Sequence, residues 1–465
     1  MISTNVIRLM EAIVGPSHIL TSAEDCWTYA YDATDQAHAP EAVVFPGSAA
    51  EISQILRLAN EHRFPVTPRG AGTGRSGGAV PIAGGVVLVL TRLNRILEIN
   101  RDDLVAVVEP GVILGRLKSE VEAQGLYYPP DPASAEFCTI GGNVAECSGG
   151  AVAVQWGVTR DYVLGLEVVL PTGEIIEAGT RTMKGVVGYD LTRLFLGSEG
   201  TLGVITRIIL RLVAKPAARQ TLAAGFETMG AAAQAVSQII TAGIAPTALE
   251  FMDRTTLNCV RGMLPFEIPP ATAALLLAAV EGHPHDVEER AAAIARFCRE
   301  QGAEPVRRAK TAAEADDLWK ARKVISPALL KVRPNKVSED VVVPLGAIPA
   351  LIDGLQRISQ RRGLLIPCYG HAGDGNIHVN VLYDRKIETE QEAVQPTVVE
   401  IFTLTRQLQG TLSGEHGIGL TKAPYLGMEL SGMAIALQMR LKQAFDPNNV
   451  MNPGKIFPEA IDAGH

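Results

Sequence analysis

Pro68-Arg69-Gly70-Ala71-Gly72-Thr73-Gly74-Arg75-Ser76-Gly77-Gly78 follows a short apolar strand around Val66 and leads to another, Val86-Val87-Leu88-Val89-Leu90. Backbone N–H groups in such a loop, unobstructed by side chains, form a concavity for an anion such as a pyrophosphate. A dinucleotide ligand is the expectation. In the common dinucleotide-binding fold, glycines of this kind open a helix within a unit of parallel strands. Here the next strand comes after only a few residues rich in Gly and Pro, whereas a crossover helix needs about a dozen or more. The loop therefore binds phosphate in some other fold, or is a plain connection.

A second loop of the same character favours the first choice. It runs from Asp131-Pro132 through Thr139-Ile140-Gly141-Gly142-Asn143-Val144-Ala145 to Gly149-Gly150. Two such loops in one region could clasp both ends of a long cofactor.

The chemistry lies nearer the C-terminus, in Gly370-His371-Ala372-Gly373-Asp374-Gly375-Asn376-Ile377-His378 and in Ser413-Gly414-Glu415-His416-Gly417-Ile418-Gly419. Neutral ring nitrogens of His371 and His378 suit a borderline divalent metal, and Glu415 can supply an oxygen ligand. Three protein ligands leave coordination positions open for a substrate carboxylate and hydroxyl, whose pKa the metal would lower. Adjacent side chains in an extended segment point to opposite faces, so His416 is available as a general base. The His371/His378 spacing matches no common short zinc motif, and satisfied structural histidines in turns are the bland alternative.

These motifs together carry a resemblance. PRGAGTGRSGG, TIGGNVAECSGG, TLGVIT, GHAGDGNIHVN, GEHGIG and the terminal Asn452-Pro453-Gly454-Lys455 resemble the FAD-dependent 2-hydroxy acid dehydrogenase branch of the vanillyl-alcohol oxidase flavoprotein superfamily. That branch includes the glycolate oxidase flavin subunit, D-lactate dehydrogenases and D-2-hydroxyglutarate dehydrogenase. The resemblance implies an α+β protein: a two-lobed FAD-binding domain at 1–215, an α+β cap domain at 216–420, and a C-terminal helical segment at 421–465 packing back on the FAD domain.

The resemblance also implies roles. Pro68, Arg69, Gly70, Ala71, Gly72, Thr73, Gly74, Ser76 and Gly77 belong at the pyrophosphate, and Gly142 and Asn143 lie beside the flavin and ribityl chain. Val204 and Ile205 lie toward the adenine. Asp131, Pro132, Thr139, Gly149 and Asn452 complete the expected cofactor set. His371, His378 and Glu415 match metal ligands, with zinc favoured and iron or manganese as alternatives. His416 matches the base and Asn380 a substrate contact. Arg322 matches an arginine that pairs with the substrate carboxylate through its bidentate fork, and Lys336 is a second anchor. The plain alternative for Arg322 is an exposed charge on an amphipathic helix.

Two departures from the family pattern refine this. Members that bind FAD covalently often carry a histidine in the first glycine loop, and none stands between Pro68 and Val80, so non-covalent FAD is expected. Ser326 stands where the hydroxyglutarate branch resembles a threonine, and Arg333-Pro334 breaks that branch's pattern. D-lactate or glycolate is accordingly favoured over D-2-hydroxyglutarate.

Composition agrees. At 465 residues the chain exceeds one core and suits two or three domains. A formal charge of −8 gives no basic surface for nucleic acid. No uninterrupted apolar run reaches the roughly eighteen residues of a membrane span, and no export signal opens the chain, so a cytoplasmic protein is expected, membrane-associated only through a partner. Cys26, Cys138, Cys147, Cys259, Cys298 and Cys368 are scattered, against an intrinsic iron–sulfur cluster. A separate electron acceptor is therefore expected: an iron–sulfur subunit, an electron-transferring flavoprotein, a cytochrome or a quinone. Two other classes share the glycine loops, a non-catalytic FAD subunit of a larger complex and a sugar-lactone oxidase. Neither gives a reason for the His/Glu set.

Periodicity supplies the elements. It predicts helices over Ala49–His62, Met229–Ala242, Val287–Gln301, Glu388–Gln409 and Gly432–Phe445. Strands are predicted at Val163–Leu170, within Leu202–Leu212 and at Ala273–Val280, and two strands between Val86 and Pro110 joined through Asn94-Arg95. The glycine-rich character fades near Lys215-Pro216.

Overall fold

The computed structural model describes residues 2–458. The chain forms two compact units: Met1–Ser148, Val158–Lys215 and Glu415–His465 make the first, and Gly149–Gly157 with Pro216–Gly414 the second. The passage near Lys215 falls where the glycine-rich character fades. The return to the first unit comes at Glu415, and residues 149–157, including Gly149, fold with the second. That short piece is held there by Gln155, which accepts from Thr247 Oγ1, and by Trp156 Nε1, which donates to Glu281 at 3.4 Å.

In the first unit, Ile19–Leu20, Ala42–Val44, Val86–Val89 and Val66–Arg69 form a four-stranded sheet in that spatial order. The helix Ala49–His62 starts where Ser48 Oγ accepts the Glu51 N–H, and its Ile52, Ile55, Leu56 and Ala59 stripe is buried on the sheet. Every residue of Val86–Val89 is buried, because Val86 and Leu88 feed one core while Val87 and Val89 feed another. Val66–Arg69 runs parallel to Val86–Val89, with Val66 opposite Val86. Parallel neighbours are usually joined through a helix; here the glycine loop makes the connection.

A second, antiparallel sheet has the order Ile96–Asn100, Val105–Val108, Val204–Arg211, Val163–Val169, Ile175–Gly179. The Val86 to Pro110 stretch thus holds three strands rather than two, divided between the sheets. The 3-10 turn Leu90–Arg92 is where the chain leaves the first sheet. After the helix Gly432–Phe445, Met451 bridges to Val66, and the Val66 N–H donates to the Val450 carbonyl at 2.8 Å. The C-terminal return thereby pairs alongside the strand that leads into the glycine loop, at the edge of its sheet.

The second unit is built on a seven-stranded antiparallel sheet, in the order Val306–Arg308, Ala218–Phe226, Ala274–Gly282, Ala248–Asp253, Cys368–His371, Asn376–Tyr383, Asn335–Val342. Its helices include Met229–Thr241, Pro284–Glu300 and Glu388–Gln407, each near its predicted span. On one face Met252, Leu275, Leu277, Tyr369 and Leu382 pack with Leu318, Ala321, Ile325 and Leu329 of the helices Ala312–Lys323 and Ile325–Val332. That face carries the candidate chemistry.

Candidate functional site

Register decides which side chains meet. Glu250 lies opposite His371, Tyr369 opposite His378, Ser338 opposite Asn380 and Asp340 opposite His378. Cross-strand partners share a face, as do residues two apart on one strand. Glu250, Tyr369, His371, His378, Asn380, Ser338 and Lys336 therefore line one side of the sheet. The His371 and His378 rings sit edge to face with centroids 5.2 Å apart, and Tyr369 lies 5.3 Å from His378.

Glu415 joins this pair through the chain. Gly414 is anchored in the second unit by its N–H, which donates to the Asp340 backbone carbonyl at 3.0 Å and to Asp340 Oδ2 at 2.9 Å. Ser413 Oγ donates to Asp340 Oδ1 at 3.3 Å. Glu415 is bonded to that anchored residue, and one ligand atom each of His371, His378 and Glu415 lies within 4.8 Å of the other two. Two imidazole nitrogens and a carboxylate oxygen form a donor set for a zinc-like divalent ion. His371 and His378 are buried, and Nδ1 of His371 bonds Glu250 Oε1. A carboxylate at Nδ1 accepts the hydrogen bond of the Nδ1–H and keeps the ring proton there, so Nε2 carries the lone pair a metal needs. The three residues fit such an ion.

The expected substrate anchors gather on the same face. Arg322 Nε donates to Glu250 Oε2 at 2.6 Å, and its guanidinium carbon lies 4.5 Å from the Tyr369 ring centroid. The arginine is thus not a loose surface charge. Asn380 is fully buried and accepts from Ser338 Oγ at 2.8 Å, while Lys336 Nζ donates to Ser326 Oγ at 2.7 Å. Glu250 is the residue that sequence reasoning missed. Burial alone would raise its carboxyl, yet His371 and Arg322, bonded to its two oxygens, outweigh that and hold it below the usual carboxylate range. The available signal was one acid inside the apolar run Leu249-Glu250-Phe251-Met252, since buried acids are rare unless paired.

In the first unit the two glycine loops meet. A Cβ added at Gly70 would overlap Thr139 Oγ1, and one at Gly72 would overlap the Arg69 guanidinium. Thr139 caps the helix Ile140–Glu146, accepting the Gly142 N–H at 3.3 Å. Asn143 is buried beside it, and its Nδ2 has no oxygen acceptor among the described residues. A cradle open only to glycine, next to a buried amide donor, fits a polar cofactor.

Other expected cofactor contacts turn inward. Arg69 Nη1 donates to the Tyr31 carbonyl at 2.7 Å, and Ser76 Oγ donates to Glu146 Oε1 at 3.2 Å. Asn452 Nδ2 donates to the carbonyls of Gly78 and Glu199, both at 2.8 Å, clamping the C-terminal return onto the loop. Asp131 pairs with Lys118. Val204 and Ile205 are buried at the start of their strand.

His416 sits in a turn fastened within the first unit: the Ile418 N–H donates to Glu199 Oε1 at 2.8 Å. Glu199 is itself buried, and burial pushes its carboxyl up to about 7 against the opposing pull of the Ile418 and Gly419 N–H groups, Ser76 and Lys455. Burial likewise lowers Lys455 to about 8, against the nearby charges of Asp32, Glu199 and Glu146.

Two glycine loops held together in one α+β unit, with a His/His/Glu donor set grown from an antiparallel sheet, define a flavin-dependent oxidoreductase. Family models agree: "FAD binding domain" matches residues 40–179 and "FAD linked oxidases, C-terminal domain" residues 215–456. Among curated proteins, the chain is 44% identical over 458 residues to the glycolate oxidase subunit GlcD of Bacillus subtilis (strain 168), covering 98% of this chain and 97% of that protein. It is 36% identical to a D-lactate dehydrogenase of Anaerostipes hadrus (90% of this chain, 89% of that protein). It is 34% identical to a D-2-hydroxyglutarate dehydrogenase of Stutzerimonas stutzeri (strain A1501) (97% and 98%). A solved p-cresol methylhydroxylase shares the fold at a TM-score of 0.79 and 19% identity, covering 98% of this chain and 96% of that one. The chain belongs to the FAD-linked oxidases of the vanillyl-alcohol oxidase superfamily, as its motifs lead one to expect. No helix among the described residues is long and apolar enough to cross a membrane.

Proposed function

We propose that this protein oxidises a small 2-hydroxy acid, D-lactate or glycolate, to the 2-oxo acid, using non-covalent FAD and a divalent metal held by His371, His378 and Glu415. One observation carries the reading: the three ligand atoms converge within 4.8 Å of one another at the sheet face that bears Asn380 and Glu250, the latter bonded by Arg322 from its helix. A sugar-lactone oxidase or a pure electron conduit has no use for that juxtaposition.

In this reading the Nη1/Nη2 edge of Arg322 receives the substrate carboxylate as a fork, while its Nε edge is occupied by Glu250. Lys336 and Asn380 fix the rest of the substrate. His416 accepts the hydroxyl proton at a ring nitrogen. A metal on the three ligands would lower the hydroxyl's pKa as a Lewis acid. FAD, when bound, supplies the two-electron acceptor for the α-hydrogen. Holding the acid by its carboxylate sets its reacting carbon in one orientation, so that the transfer proceeds from a near-attack geometry.

The acceptor that reoxidises the flavin is a separate protein or quinone. All six cysteines are free and scattered through the fold, and the B. subtilis relative is itself called a subunit. The test is anaerobic: D-lactate, L-lactate, glycolate and D-2-hydroxyglutarate are each added to the yellow protein, and the oxidised-flavin absorbance is followed. Bleaching by D-lactate or glycolate supports the reading, and bleaching by D-2-hydroxyglutarate alone replaces the substrate. A protein bleached by none is a redox subunit.

A further inference from the structure

Glu250 is fully buried and divides its two oxygens between two different jobs. Oε1 bonds Nδ1 of His371 and Oε2 bonds Nε of Arg322. His371 comes from the strand Cys368–His371 and Arg322 from the helix Ala312–Lys323, so this carboxylate is a single physical link between them. We propose that Glu250 is a positioning residue that sets metal affinity and substrate affinity together, by fixing the His371 tautomer with one oxygen and the Arg322 fork with the other. The inference rests on the function proposed above.

The physical case has three parts. A carboxylate behind a ligating imidazole orients the ring and raises its basicity, and losing such a partner typically costs about 10–100-fold in metal affinity. An arginine held at Nε over an aromatic face loses rotational freedom before any substrate arrives, so its fork is preorganised. Both effects pass through one rigid group, and Glu250 has no exposed surface through which water could take over either role. Coupling of this kind is reciprocal: whatever loosens the carboxylate on one side is felt on the other.

A purely structural ion pair makes a different forecast. It would lower thermal stability and FAD-loaded yield while leaving zinc affinity and KM in the surviving protein unchanged. Glu250→Gln separates the two. The amide keeps one acceptor oxygen and turns an N–H group toward the other donor, so His371 and Arg322 cannot both be satisfied.

The experiment uses the FAD-loaded full chain. Zinc affinity is measured by chelator competition without substrate, then KM and kcat for glycolate or D-lactate are measured at saturating zinc. E250Q is expected to weaken zinc binding about 10–100-fold and to raise KM about tenfold or more with FAD content unchanged. Movement of only one of the two quantities, or of neither, would overturn the proposal. Should E250Q fail to fold, R322K serves, because it leaves Glu250 and all three metal ligands in place. It is expected to weaken zinc about fivefold or more, and an unchanged zinc affinity would overturn the coupling. A wild-type protein that takes up no stoichiometric zinc would sink the metal reading and this inference with it. A wild type that binds zinc no better than E250Q sinks the inference alone.

Discussion

Glu199 Oε1 accepts the backbone N–H of Ile418 at 2.8 Å, closing a link across 219 residues of chain. The Glu415–Ile418 turn, which carries the proposed base, is therefore fastened to a buried carboxylate of the first unit. Burial raises that carboxylate, to about 7, despite the Ile418 and Gly419 N–H groups, Ser76 and Lys455. Its pKa is thus higher folded than unfolded, where it is 4.5. The stability it contributes is fully present below about pH 4.5 and is lost as pH rises through 7, on the order of a few kcal/mol. Glu199→Gln keeps an acceptor and cannot ionise. Its Tm is expected to match wild type near pH 5 and to exceed it increasingly toward pH 8. Thermal melts at the two pH values check this, and parallel curves would count against it.

The same turn gives a second forecast at Gly417. Its φ is +87°, and an added Cβ would sit 2.5 Å from Glu146 Oε2 and 2.9 Å from Glu199 Oε1. Gly417→Ala strains the left-handed backbone next to His416 and pushes aside the two carboxylates that brace the turn. Turnover should fall at least tenfold while FAD stays bound; steady-state rates together with the bound-flavin spectrum decide. Loss of FAD in step with activity would mean the turn belongs to the cofactor site instead.

His416→Ala removes the group assigned to the hydroxyl proton. General bases typically contribute about 10²–10⁴-fold, so flavin reduction by the acid should slow by that factor with FAD and metal content unchanged. Near-normal reduction would return the base role to solvent or to another residue.

At the cofactor loop, Gly72 has φ +70°, and a Cβ there would overlap the Arg69 guanidinium. Left-handed backbone costs an ordinary L-residue about 1–2 kcal/mol, before the arginine is displaced. Gly72→Ala should weaken FAD binding about tenfold or more, read as a lower ratio of flavin to protein absorbance after dialysis. An unchanged ratio would detach this loop from the cofactor.

Some of this architecture was legible in the sequence and some was not, for physical reasons. The helix Ala49–His62 declares itself because a capping serine precedes a stripe at helical spacing. The strands between Val86 and Val108 are short apolar runs whose periodicity says nothing about which sheet each joins, so the pattern predicts two where the fold has three. His371, His378 and Glu415 stand out because glycines crowd around them, and the donor set they form was expected. Glu250 could not be found that way, because its meaning comes from lying opposite His371 on a strand more than a hundred residues away. Asn452 shows the reverse case: a conspicuous polar residue expected at the cofactor, whose amide clamps the Gly78 and Glu199 carbonyls.

The most direct test of the central claim is rapid anaerobic mixing of the FAD-loaded protein with glycolate or D-lactate, before chelation, after chelation and after zinc is restored. The account predicts fast loss of the oxidised-flavin band, its abolition when the metal is stripped from His371, His378 and Glu415, and its recovery on adding zinc. Full-speed bleaching by the chelated protein, with metal analysis below one-tenth of an ion per chain, would contradict it.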